Sequence, residues 1–219
     1  MLTVQQTGDG SLTLFSSRFQ ETYHSRHGAM TESLHVFIEN GLRFAEPGLK
    51  EMHIGEIGLG TGLNAMLSLA EGARLGKTIR YAAVEAFPLS EPIIRRVVSA
   101  FPGLPSDSYI NLLQAPPEEK THLSPGFEFI WHRKKWPEEN PFTELDLLYY
   151  DAFAPGSQPE LWTIEAFEQA FRSLNPGGIL VTYCAKGEVK RNMKAASFEV
   201  FRLPGPPGKR EMTRAQKPF

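Results

Sequence analysis

The segment Glu56-Ile57-Gly58-Leu59-Gly60-Thr61-Gly62 constrains this 219-residue chain more than any other feature. It joins a short strand-like run, residues 53–57, to Leu63, Met66, Leu67 and Ala70, which recur at helical spacing up to a stop at Gly76. A strand that turns into a helix through three glycines needs backbone that bends tightly and lies bare against a ligand. The dinucleotide fingerprint puts its third glycine three positions after the second, and Leu63 stands there instead. Strand and helix patterns keep alternating beyond the loop. Residues 79–84 read as a second strand ending at Glu85, and Ser90 caps a helix carrying Ile93, Ile94, Val97 and Phe101, closed by Pro102-Gly103. Residues 127–131 form a candidate third strand, and residues 145–150 a fourth, apolar enough to be buried on both faces. Thr163 caps a helix bearing Ile164, Phe167, Phe171 and Leu174, Asn175-Pro176-Gly177-Gly178 stops it, and residues 179–184 are the fifth strand. Residues 198–203 and 209–215, joined by Pro204-Gly205-Pro206-Pro207-Gly208, predict an antiparallel closing pair. The whole predicts an α/β fold with a mostly parallel sheet.

The first fifty residues follow another pattern. The turn signal Gly8-Asp9-Gly10-Ser11 precedes alternating Leu12 and Leu14, which predicts a half-buried hairpin, and an apolar patch follows at Val36, Phe37 and Ile38. After Glu46-Pro47-Gly48 the alternation begins. We read residues 1–219 as a single domain, with a small β-rich extension over 1–48 and the core over 49–219. No apolar run reaches the ~18–20 residues of a membrane-spanning helix. The start lacks the basic and apolar parts of a signal peptide, so the expected location is the cytoplasm. The single cysteine, Cys184, rules out an internal disulfide and a cysteine-cluster metal site. His24 and His27 have no accompanying ligand cluster, and no metal is expected. The net charge of -2 argues against a globally basic nucleic-acid coat protein and leaves room for a local basic patch.

An acidic residue two positions before three glycines at spacing two resembles the S-adenosylmethionine loop of the Rossmann-like methyltransferases. That resemblance implies that Glu56, Gly58, Gly60, Thr61, Gly62 and Asn64 serve this cofactor, with Glu85, Ala86 and Phe87 at its ribose. It also implies a seven-stranded sheet with a terminal antiparallel strand. Taken alone, the glycines are equally a tight connection; Glu56 and Glu85 in register favour a ligand. The fourth strand ends in Tyr149-Tyr150-Asp151-Ala152-Phe153-Ala154-Pro155. Functional groups of open α/β sheets gather at the carboxyl ends of strands. A carboxylate there, Asp151, can steady a cationic amine and take its proton, while Phe153 and Pro155 shape a flat slot. The alternative is that Asp151 caps the turn that follows.

Further segments extend the likeness. Tyr23-His24-Ser25, Gly28-Ala29, Glu32-Ser33 with Val36-Phe37-Ile38, the glycine loop through Asn64, Glu85-Ala86-Phe87-Pro88-Leu89, Asp151-Ala152-Phe153-Ala154-Pro155 with Trp162, and Gly208-Lys209-Arg210-Glu211-Met212 together resemble the tRNA 5-aminomethyl-2-thiouridine methyltransferases (the MnmC/MnmD family). The resemblance spans nearly the whole chain. It implies methylation of the aminomethyl group of a wobble uridine, with S-adenosylmethionine as cofactor and tRNA as partner. It further implies the free-standing form without the flavin oxidase domain, so that a separate enzyme supplies the aminomethyl-uridine. Asp151 is then catalytic, and Tyr23, Glu32, Phe153, Pro155, Lys190, Arg191, Lys209 and Arg210 are substrate-binding. The run His132-Arg133-Lys134-Lys135 either joins that positive surface or is solvated charge. One departure stands out: the family's Gly-Asp pair after the third strand is replaced here by His132-Arg133, leaving Trp131 or a backbone carbonyl to read adenine. Two other classes remain open. One is a polyamine synthase, whose loop normally has further acids where Gly156-Ser157-Gln158 supplies none; the other is a non-catalytic cofactor-binding RNA adaptor.

Overall fold

A computed structural model describes residues 1–45, 48–101 and 103–219. Glu46 and Pro47 of the expected boundary, and Pro102 of the expected helix stop, lie outside the described residues. The chain opens with three strands, β1 (Leu2–Gln6), β2 (Leu12–Ser16) and β3 (Glu21–Thr22), paired antiparallel in that order. The expected hairpin is therefore present, with Gly10 at φ 83° in its turn. The extension is β-rich only this far. Helix α1 (Ala29–Ser33) runs into a π-helical segment (Leu34–Leu42) and a last turn, α2 (Arg43–Ala45). The apolar patch belongs to this helix: Val36, Phe37 and Ile38 are buried, and the Phe37 ring lies 5.1 Å from that of Tyr149. Gly41 lets the helix settle on the sheet, since a Cβ there would meet Val181 and Tyr149 at 3.1 and 3.2 Å.

The second sheet holds β4 (Glu51–Ile57), β5 (Thr78–Val84), β6 (Thr121–Ser124), β7 (Phe127–His132), β8 (Leu145–Tyr150), β9 (Leu174–Thr182), β10 (Glu199–Pro204) and β11 (Glu211–Gln216), in the spatial order β10-β11-β9-β8-β4-β5-β7-β6. β4, β5, β7, β8 and β9 are parallel, whereas β11, β10 and β6 are antiparallel to their neighbours. Among the described residues the sheet thus carries eight strands, one more than expected. The addition, β6, is a four-residue edge strand of Thr-His-Leu-Ser held by backbone pairing to β7, with no apolar alternation to announce it.

The strands are connected by α3 (Leu63–Leu75), α4 (Glu91–Ser99), α5 (Ser106–Gln114), a 3-10 turn (Pro159–Trp162), α6 (Ile164–Ser173) and α7 (Gly187–Ala195). Two of the expected helix ends hold: Gly76 closes α3 at φ 63°, and the Thr163 hydroxyl accepts the Ala166 N–H at 3.2 Å. Ser90 precedes α4 without a side-chain cap, and α5 was not expected. Leu174 caps the end of α6 and opens β9, and Asn175-Pro176-Gly177-Gly178 forms an irregular stretch of that strand, with Gly177 at φ 79°.

The unbroken apolar run of β8 is explained by burial on both faces. Leu147 and Tyr149 join the core beneath α1 and α3, while Leu148 and Tyr150 join the one beneath α6 and α7. Each such side chain, fully buried, contributes about 1.5–3 kcal/mol. Among the described residues no helix is long and apolar enough to cross a membrane.

Candidate active site

The order of the strands reverses at β4: the chain moves outward through β5 and β7, then returns to place β8 on the other side of β4. Open α/β sheets leave a crevice at such a point, outside the carboxyl ends of the strands. Here it is a cavity of about 570 Å³. Its walls come from the loops after β4, β5, β7 and β8, and from Arg18, Phe19 and residues 21–27, on β3 and the turns that flank it.

The glycine loop runs through Gly58, Gly60 and Gly62 at φ 89°, 53° and 75°, a region that side chains rarely adopt. A Cβ on Gly58 would lie 2.6 Å from the Asp151 carbonyl oxygen, so the loop and the end of β8 pack backbone to backbone. On Gly60 it would press the Tyr23 ring at 3.1 Å. Gly62 has a different reason: its Cβ would meet Leu112 of α5 at 2.8 Å, and it does not line the cavity. Thr61 lines it, but its hydroxyl is 3.1 Å from His24 Nε2 and its carbonyl accepts the Tyr109 hydroxyl at 2.9 Å. Burial lowers the buried His24 imidazole to about 4, which keeps it neutral. His24 thus braces the loop.

Glu85 sits beyond β5 with one carboxylate oxygen accepting from Gly60 N at 2.9 Å and the other from Phe87 N at 2.7 Å. The carboxylate keeps acceptor capacity toward the cavity, which suits a ribose hydroxyl. Together with bare backbone at Gly58 and Gly60, this fits the ribose and amino-acid portions of S-adenosylmethionine. Ala86, Phe87 and Asn64 line the same cavity.

Glu56 does not touch the cavity. It is fully buried, accepting from Asn64 Nδ2 at 2.9 Å and from the Tyr81 hydroxyl at 2.8 Å. Burial, and then the charge of Asp151, raise its proton affinity well above the ordinary carboxylate range. It reaches the site through Asn64, whose same Nδ2 donates to Asp151 Oδ2 at 2.8 Å. Asn64 Oδ1 is buried without a hydrogen-bond partner.

Asp151 stands at the end of β8, its carboxyl pushed up to about 7 by burial and by Glu32, against the lowering effect of Asn64 and Lys209. Glu32 accepts from Ser25 N at 3.0 Å and forms an ion pair with Lys209, whose ammonium lies 4.2 Å above the Tyr183 ring. Beside these groups runs an aromatic wall. Phe19 stacks on Phe153 with centroids 4.6 Å apart, Tyr23 meets Phe153 edge-on at 5.1 Å, and the Arg18 guanidinium covers Phe87 at 3.9 Å. An anionic floor beside flat aromatic surface suits a cationic amine carried on a planar base.

Of the expected substrate residues, Tyr23, Glu32, Phe153 and Lys209 come together around Asp151, whereas Pro155, Lys190, Arg191 and Arg210 lie outside the cavity lining. Lys190 is buried and paired with Glu211 at 3.1 Å, because α7 packs it beside β11. Arg191 and Arg210 are exposed. Trp131 does not line the cavity either; its indole N–H donates to the Ala115 carbonyl at 2.7 Å. Sequence reasoning missed Arg18, Phe19, Glu21 and Tyr183, and it left Lys134 and Lys135 undecided, although all six line the cavity. Among the described residues no group of three or more His, Cys, Asp or Glu side chains could hold a metal ion.

Residues 130–218 match a family of S-adenosyl-L-methionine-dependent methyltransferases. The tRNA 5-methylaminomethyl-2-thiouridine biosynthesis bifunctional protein MnmC of Pseudomonas fluorescens is 30% identical over 219 residues, covering 90% of this chain and 32% of that protein. The protein of the same name from Aeromonas salmonicida is 30% identical over 213 residues, with 88% and 32% covered. The chain therefore spans about a third of the length of these curated relatives. Among solved structures, MnmC2 from Aquifex aeolicus matches with a TM-score of 0.78 at 23% identity, over all of this chain and 72% of that one. A probable spermidine synthase from Corynebacterium glutamicum matches at 0.55 and 16% identity, over 99% and 76%. At such identities the structural likeness establishes the fold.

Proposed function

We propose that this chain, a member of the S-adenosyl-L-methionine-dependent methyltransferase family, methylates the aminomethyl nitrogen of 5-aminomethyl-(2-thio)uridine at the tRNA wobble position. The observation that carries the reading is the placement of Asp151 beside the glycine loop and Glu85, in one cavity with an aromatic wall. The sequence likeness to the MnmC proteins, over about nine-tenths of this chain, supports the choice of substrate.

When bound, S-adenosylmethionine supplies an electrophilic methyl group on a sulfonium sulfur. The glycine loop and Glu85 hold that cofactor, and Asn64 orients Asp151 toward it. Asp151 draws in the substrate's ammonium group and keeps it beside the cofactor, while Glu32 stays paired with Lys209. An ammonium has no lone pair, so its proton must leave before the nitrogen attacks, and Asp151 is the acceptor within reach. Its raised proton affinity suits that task near neutral pH. Phe153, with Tyr23 edge-on to it, walls off water. The protein would work in the cytoplasm on tRNA whose aminomethyl group another enzyme has made.

The deciding experiment is transfer of a labelled methyl group from S-adenosylmethionine to tRNA lacking this modification, followed by nucleoside analysis. Label in 5-methylaminomethyl-(2-thio)uridine is expected. Label in another nucleoside, or in a polyamine supplied instead, would replace the reading.

A further inference from the structure

The basic residues that the sequence offered for nucleic acid are largely spent or misplaced. Lys190 pairs with Glu211, Lys209 pairs with Glu32, and Arg191 and Arg210 lie outside the cavity. Four cations line the cavity instead, two of them, Lys134 and Lys135, from the run that the sequence left undecided. Arg18 and Arg26 come from the segment around β3, and Lys134 and Lys135 from the loop after β7. Among the described residues none of the four has an ion-pair partner, and Arg18, Arg26 and Lys135 are exposed. The acids that line the same cavity are divided by depth. Glu32 is buried, Glu85 and Asp151 are half-buried, and Glu21 is half-buried and accepts from Ala154 N at 3.0 Å, while Glu138 and Glu160 are exposed beside the cations. Anionic groups inside attract an amine; unpaired cations outside attract phosphates. Between the two zones lies the Phe19–Phe153 stack, with Phe19 half-buried.

We propose that Arg18, Arg26, Lys134 and Lys135 are the phosphate-holding rim of an RNA site whose flat wall is Phe19 on Phe153. The small N-terminal sheet is then one jaw of the substrate site, and the loop after β7 is the other. A wobble base turned out of its stack rests against the aromatic wall while the rim holds the phosphates on either side of it. This rests on the reading of tRNA as substrate, and deepens it by locating the contact surface.

The test is tRNA affinity as a function of salt, for the wild type and for the combined variant Arg18→Gln, Arg26→Gln, Lys134→Gln and Lys135→Gln. Single-stranded contacts release about 0.7 counterion each, so losing four should flatten the logarithmic salt slope by roughly 3. Phe19→Ala should weaken binding roughly 5- to 150-fold at every salt concentration and leave the slope alone, because stacking carries no counterions. Thermal unfolding of each variant checks that it is folded. A wild type with a steep slope that the combined variant retains would overturn the rim. So would a slope flattened by Arg191→Gln with Arg210→Gln instead, which would move the surface to α7 and the β10–β11 turn. A folded wild type that binds no tRNA at low salt would overturn the substrate reading itself, and the rim with it.

Discussion

Asp151 combines two demands that pull in opposite directions. Its carboxyl is pushed up to about 7 first by burial and then by Glu32, and is lowered by Asn64 and Lys209. In the proposed reaction the ionised form holds the ammonium and accepts its proton, so turnover should fall as pH drops below about 7. The neighbours set where that limb lies. Glu32→Gln removes a repelling charge and should move it to lower pH, whereas Lys209→Met removes an attracting one and should move it higher; kcat against pH at saturating substrate reads both. Asp151→Asn should cut turnover by ~10²–10⁴-fold with cofactor affinity nearly intact, and alkaline pH should restore part of the loss because more substrate amine is then neutral. Wild-type turnover in this variant would make Asp151 a structural group. The same residue costs stability. Its folded value lies above the unfolded value near 3.8, so the folded protein holds the extra proton between the two, and stability falls as pH rises from about 4 through 7. Asn carries no such burden. At pH 8 the thermal midpoint of Asp151→Asn should exceed that of the wild type, and a lower midpoint would contradict the burial argument.

The glycine loop shows how one short element serves two purposes. Gly58 and Gly60 keep backbone clear beside β8 and Tyr23, while Gly62 lets α3 start against Leu112 and Leu113 of α5. The three positions should therefore separate on substitution. Gly60→Val strains a residue at φ 53° and displaces Tyr23, and calorimetry should find S-adenosylmethionine binding lost. Gly62→Ala, at φ 75° and 2.8 Å from Leu112, should lower stability by about 1 kcal/mol or more while the folded fraction still binds the cofactor. Equal loss of binding in both variants would mean that Gly62 also faces the ligand. Helix α3 links this loop to the catalytic edge, because Asn64 in its first turn ties Glu56 of β4 to Asp151.

At the scale of the whole molecule, a ligand that binds only the folded state stabilises it by about 2.7 kcal/mol when present at 100 times its Kd. For a chain of this size the thermal midpoint should rise by roughly 5–10 °C with S-adenosylmethionine. NAD should produce no shift, and a shift with NAD alone would overturn the assignment of the loop. Much of this architecture is legible in the chain itself. The strand-glycine-helix unit, the buried strand ending at Asp151 and the acid after β5 are each written within a few consecutive residues, where periodicity and backbone geometry act locally. Other features depend on residues far apart in sequence. The Lys209–Glu32 pair spans 177 positions and the Ala154–Glu21 hydrogen bond 133, so neither leaves a local pattern. Side-chain charge looks alike in a sequence whether it will be exposed, as at Arg210, or buried against a partner, as at Lys190. Hence the sequence by itself determined the α/β order, the strand-glycine-helix unit and the position of Asp151 at the end of its buried strand. Only tertiary packing decided which cations line the cavity without an ion-pair partner among the described residues, which aromatic rings meet, and that β3 and its flanking turns line the site.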